Sequence, residues 1–268
     1  MNINNFVIDR PLRGVMLHAS TGEALWSVNQ IENPTLKVTA ETADAVDALG
    51  TPIVSFDRAK NAEFSAESSL FDLGLMAAQS GSEKVTSSAT LAVNTPCFEE
   101  VTYKDASTTI TLKHTPDAVG ADGIPFIYFL NGDDSFGTKY AYASAAAVGK
   151  FTFTGKTLTL PTDTFKAGDK FLVIYNYNAD ATDGAIGVTN TAKSFPKAGK
   201  FVLEVLGADV CNPSTLYHAY IIFPQAKLLS DFDVSFTTDS KHPFSLKAMQ
   251  EYCDHEKKLF SVIIPEAE

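Results

Sequence analysis

Gly155-Lys156-Thr157 has the ending of a phosphate-binding loop, in which backbone N–H groups and a lysine cradle phosphate at a helix N-terminus. The spacing does not fit. The upstream glycine, Gly149, stands one residue too far away, and strand-like alternation lies on both sides. A two-residue hairpin turn is the better reading. Cys253-Asp254-His255, taken with Cys211 and His218, offers zinc-ligand chemistry. Structural zinc takes its ligands as C-x2-4-C and H-x3-5-H pairs, and neither spacing occurs. Cys211 and Cys253 therefore read as small hydrophobes. Asn178, Asp180 and Asp183 before Gly184 resemble a calcium loop, but the glycine falls one residue late and no Glu closes the twelfth position. Asp133-Asp134 and Glu99-Glu100 read, like them, as turn formers. His18, His114, His218, His242 and His255 have no nucleophile motif such as G-x-S-x-G beside them. Trp26, the one tryptophan, reads as a packing anchor. No catalytic, cofactor-binding or metal-ligating residue is assigned, and the expectation is a protein that is not an enzyme and needs no cofactor.

The elements that would position these residues are strands. Thr152, Thr154, Thr157 and Thr159 alternate with Phe151, Phe153, Leu158 and Leu160 around Gly155-Lys156. Further period-two or apolar runs lie at 35–40, 53–56, 109–113, 125–130, 170–177, 200–205, 216–223, 231–236 and 259–264. Turn residues such as Asp122-Gly123, Asn131-Gly132 and Asp183-Gly184 separate them. Two stretches break the pattern. Residues 69–79 place Leu70, Leu73, Met76 and Ala77 on one helical face, with Ser68 or Ser69 as N-cap and Gly81 as the stop. Residues 243–255, with Phe244, Leu246, Met249 and Tyr252 at mixed spacing, read as a second short helix. The class is all-β with one or two short helices. A polar, small-residue linker, 80–90, follows the first of them.

Composition narrows the function classes. The 268 residues include 21 Lys or Arg against 32 Asp or Glu, a formal charge of −11. That balance disfavours a protein that grips nucleic-acid phosphates or an anionic membrane. With 45% hydrophobic and 20% charged residues the chain is no disordered tail. No apolar run approaches a membrane span, and the N-terminus lacks a basic region followed by an apolar stretch. Three cysteines suit a reduced compartment better than a disulfide framework. The chain is expected to be made in a cytoplasm.

An order of features then stands out. A strand, TLKVTAET, leads to the acidic loop ADAVDALGTP. A return strand, PIVSFDRAKNAEFSAESS, precedes the short apolar helix LFDLGLMAAQSG. Towards the C-terminus come FVLEVLGADV, LYHAYIIFPQAKL, LSDFDVSFTTD, KHPFSLKAMQEYCD and the closing LFSVIIPE. This order resembles the tail tube proteins of tailed bacteriophages, over somewhat more than half of the chain.

The resemblance implies a two-sheet β-sandwich or barrel flanked by a helix, with a long hairpin loop and an extra β insertion. The tube core would be 1–100 and 193–268. It would hold an N-terminal arm over 1–33, the hairpin at about 36–64, the helix at about 69–79 and the C-terminal strands. Residues 101–192 would be an inserted β subdomain on the tube exterior, since a minimal tube subunit is shorter. It also implies a virion protein that partners itself, in hexameric rings and in ring–ring stacking. Other partners would be tail proteins such as the tape measure and the terminator. Viral DNA would pass through a lumen that an acidic wall keeps from binding it, and no membrane would be involved. Another virion β-fold component remains open on the same residues: a tail terminator, hub or decoration protein. So does a carbohydrate-binding β-sandwich.

Overall fold

The computed structural model describes residues 5–104, 107–251 and 256–265. The elements follow the chain as β1 (Phe6–Leu17), β2 (Ala24–Val28), β3 (Ile31–Val46), β4 (Pro52–Ser68), helix α1 (Leu73–Ser80), β5 (Val85–Thr86), β6 (Val93–Thr102) and β7 (Thr109–Thr111). Next come β8 (Phe126–Leu130), β9 (Phe136–Tyr142), β10 (Lys150–Thr154), β11 (Thr157–Thr159), β12 (Lys170–Ala179) and β13 (Ile186–Gly187). The chain closes with β14 (Ala198–Asp209), β15 (Asn212–Leu228), β16 (His242–Ala248) and β17 (Ser261–Ile263). Strands make up 54% of the described residues and helix 4%, and one sheet curls into a half-barrel. The all-β class stands.

The chain forms two compact units, one of residues Met1–Lys84 with Val188–Glu268 and one of Val85–Gly187. In the first, a sheet runs in the order β2-β1-β14-β15-β16-β4-β3, with β17 added on β15. Its core is aromatic. Phe64 lies 5.5 Å from Phe201 and 6.1 Å from both Phe223 and Phe244, between ring centroids, and Trp26 stacks on Phe201 at 5.7 Å. Such pairs add about 0.5–1.5 kcal/mol each beyond the area they bury. Trp26 is thus the packing anchor the sequence suggested. Within the stretch 1–33, read as an arm, β1 and β2 pair into this sheet: β1 runs antiparallel to β14, and Met16 and Val28 are buried.

The second unit has a sheet in the order β6-β12-β8-β9-β10-β11-β7 and a two-stranded pair, β13-β5. Its core gathers Phe151, Phe153, Leu158, Phe171, Val173 and Tyr175. Along β12 the alternate residues Phe171, Val173 and Tyr175 point inward, as period-two burial requires.

Three local readings change. Of the expected helix over 243–255, the described residues 243–251 are not helical, and 252–255 lie outside the described residues: β16 runs over His242–Ala248, with His242, Phe244, Leu246 and Ala248 buried in strict alternation. Pairing with both β4 and β15 fixes that period, and tertiary context overrides the mixed spacing. Residues 231–236 are not a strand. Two of their side chains go to ring contacts instead, Phe232 against His242 and Phe236 against Phe71. The helix starts later than expected, because β4 continues to Ser68 and the Ser68 hydroxyl donates to the Leu70 carbonyl at 2.9 Å. Asp72 is the N-cap, its Oδ1 accepting from the N–H groups of Gly74 (2.6 Å) and Leu75 (3.0 Å). Gly81 does stop the helix, at φ +64°.

Candidate functional site

Gly155 and Lys156 form the turn between β10 and β11, with Thr154 opposite Thr157 and Gly155 at φ +55°. The Lys156 ammonium donates to the Lys113 carbonyl at 3.0 Å. Cys211 is exposed in the turn between β14 and β15, where its N–H donates to Asp209 Oδ1 at 3.0 Å. A tight turn leaves its side chain in solvent, so it is no core hydrophobe. Away from that turn, on β14, Glu204 takes His218 Nδ1 at 2.9 Å and Arg13 Nε at 3.0 Å. Cys253, Asp254 and His255 lie outside the described residues.

The carboxylates before Gly184 are spent separately. Asp180 Oδ1 accepts the N–H groups of Thr182 (2.7 Å) and Asp183 (3.3 Å), and these bonds hold its pKa below the usual carboxylate value. Asp183 pairs with His114 Nδ1 at 3.2 Å, and the His114 ring stacks on Tyr177 at 3.8 Å. Asn178 Oδ1 accepts from Asn94 at 3.4 Å. Among the described residues no group of three or more His, Cys, Asp and Glu side chains could hold a metal ion. Asp133 is a turn former as read, its Oδ1 accepting the Ser135 N–H (3.1 Å) and hydroxyl (2.6 Å), which lower its pKa. His18 Nδ1 faces the N–H groups of Ser20 and Thr21, both at 3.4 Å, in the turn after β1.

Glu99 departs from the turn reading. It lies within β6, buried, and its carboxylate accepts the Tyr175 hydroxyl at 2.7 Å and the Lys113 N–H at 3.0 and 3.1 Å. Burial and that bond push the Tyr175 phenol well above its ordinary pKa. Its neighbour Glu100 points the other way and pairs with Lys170 at 2.6 Å. Strand alternation puts one carboxylate in the core and the next in water, which adjacency in sequence did not disclose.

What the single chain leaves unsatisfied is a surface. β3 and β4 form one hairpin, its turn closed by the Asp47 N–H on the Thr51 carbonyl at 2.9 Å. Beyond Glu41 and Arg58 the hairpin has two unlike faces. Ala43 sits opposite Phe56 and Ala45 opposite Val54, an apolar face, while Asp44 opposes Ser55 and Thr42 opposes Asp57. Phe56 is 55% exposed, Ile53 68% and Leu49 91%. Elsewhere in this unit the outer half of β1, Phe6 to Arg13, pairs with β14 and leaves its second edge free among the described residues, since β2 covers β1 only from Gly14 to Leu17. The alternation in PIVSFD was the signal for the apolar face; that no described residue covers it is a tertiary fact. No helix of the described residues is long and apolar enough to cross a membrane.

No curated protein matches the chain. The model of the YomU/Tube protein family, a phage tube-like family, matches residues 12–261 and runs through both units, and the chain belongs to that family.

Proposed function

We propose that the chain is the structural subunit of a bacteriophage tail tube, in which six copies form a ring and rings stack into a hollow channel for DNA passage during ejection. The observation that carries this reading is the β3–β4 hairpin, whose apolar face leaves Ala45, Val54 and Phe56 exposed and Ala43 half-buried in one copy. Apolar surface of this kind marks a contact site, and burying it yields roughly 25 cal/mol per Å². A second copy of the chain is the partner that a tube supplies. The contact is heterologous, so a suitable rotation closes it into a ring, and the free edge of β1 suits strand addition between neighbours. The segment about 101–192 would lie on the tube exterior. Assembly in the host cytoplasm would involve tape measure and terminator proteins. DNA would slide past an acidic wall without specific binding.

Electron microscopy of the purified chain and of its virion tests this reading. Stacked sixfold rings, with scores of copies per particle, are the expected result. A chain that stays monomeric at high concentration, or that occurs in a few copies per virion as a hub does, overturns it.

A further inference from the structure

The ring of His242 is wholly buried, and both of its nitrogens are engaged. Gln79 Nε2 donates to the Pro243 carbonyl at 2.8 Å, so the Gln79 oxygen is the atom that faces His242 Nε2 at 2.6 Å. An amide oxygen can only accept; the network therefore assigns the hydrogen to Nε2 and leaves Nδ1 bare. Nδ1 in turn accepts the Asp72 backbone N–H at 3.4 Å. His242 thus ties β16 to both ends of α1, the cap residue and the last turn.

Aromatic rings close over this joint. Phe71 stacks on His242 at 5.7 Å, Phe232 lies 6.0 Å from it, and Phe236 rests on Phe71 at 5.8 Å. Asp72 is the anion that acts on the ring. Its carboxylate is meanwhile committed to the first N–H groups of α1. Of the other charged groups next to it in the chain and in the β4 register, Lys241 pairs with both Glu32, at 2.6 Å, and Glu67, at 3.4 Å. Ser68, opposite His242 in that register, spends its hydroxyl on Leu70.

We infer that His242, Asp72 and Gln79 form a proton-operated latch, which a second proton on His242 Nδ1 opens. That proton comes from solvent and turns Nδ1 from an acceptor into a donor facing the Asp72 N–H. Two donors cannot share one line, so the contact breaks. The imidazolium then competes with Gly74 and Leu75 for the Asp72 carboxylate, and α1 loses its cap along with the clasp of Phe71, Phe232 and Phe236. Burial holds His242 neutral, below its ordinary titration range, so the latch is shut at neutral pH. It opens as pH falls below about 6.5, where an unfolded or released histidine takes up its proton.

Trp26 reports the event, because it lines with Gly74, Ala77 and Ala78 of α1 a cavity of about 710 Å³, and it is the one tryptophan in the chain. The full chain is titrated from pH 7.5 to 4.5 while Trp26 emission and the strand circular dichroism are followed. The expected result is a red shift of Trp26 below pH 6.5 with the strand signal kept. His242→Gln, which is neutral and retains a donor and an acceptor, removes the transition. Asp72→Asn still caps the helix but cannot pair with an imidazolium, and it moves the midpoint down by about half a pH unit or more. Flat emission in the unaltered chain, or an unchanged midpoint in either variant, overturns the latch. If His242→Gln does not fold, Asp72→Asn decides alone.

Discussion

Tyr175 on β12 donates its hydroxyl hydrogen to Glu99 on β6 at 2.7 Å, across a core in which both side chains are buried. Two neighbours complete the arrangement: the Lys113 N–H donates to the same carboxylate, and the His114 N–H donates to the Tyr175 oxygen at 3.2 Å. A carboxylate in such a place costs several kcal/mol unless its oxygens are satisfied. Here they are.

Removing one donor exposes that cost. Tyr175→Phe keeps the ring and leaves Glu99 short of a partner, so the loss of stability is expected at about 1–3 kcal/mol. Urea unfolding of the full chain measures it. A loss below about 0.5 kcal/mol would mean that the bond contributes little net.

The same pair sets an alkaline limit. The Tyr175 pKa is raised in the folded chain, chiefly by burial and then by Glu99. A raised folded pKa gives stability that is complete below the unfolded value near 10 and is lost as pH climbs above it. Between pH 10 and 11 the unaltered chain should lose up to about 1.4 kcal/mol more than Tyr175→Phe does. Paired urea titrations at pH 9, 10 and 11 read this directly, and parallel pH slopes would count against it.

Two glycines with the same backbone requirement should respond very differently to alanine. Gly81 has φ +64°, and a Cβ there would sit 2.3 Å from the Phe195 carbonyl group; Gly50, in the hairpin turn, has φ +84° and open space around it. Gly50→Ala pays conformational strain alone, about 1–2 kcal/mol. Gly81→Ala adds a backbone collision and is expected to cost about 3 kcal/mol or more. Thermal unfolding of both variants tests the order, and a Gly81→Ala chain as stable as Gly50→Ala would contradict it.

The hairpin separates stability from assembly. Phe56→Asp places a charge on a face that solvent already reaches, so the single chain should keep its stability within about 0.5 kcal/mol. If the apolar face meets a second copy, the same change removes the contact and adds a buried charge. Sedimentation and negative-stain microscopy should then show folded subunits without tubes. Tubes formed as readily as by the unaltered chain would place the contact elsewhere.

Much of the secondary structure was legible, because it depends on neighbours in sequence. The turn at Gly155-Lys156, the stop at Gly81 and the alternation along β12 follow from φ preference and period two alone. The order of hydrophobic runs carried the family likeness as well. Tertiary structure decided the rest. Residues 231–236 and 242–248 carry similar alternation, yet the second is a strand because β4 and β15 flank it, and the first finds aromatic partners instead. Glu99 and Glu100 are adjacent and alike, and only the strand's facing buried one of them. His242 gave no signal at all, since a lone histidine between Lys241 and Pro243 acquires its meaning from Gln79, more than a hundred residues away. Composition and local periodicity fix what a segment can become; which edge, core or partner it meets is set by contacts that close only when distant strands pack.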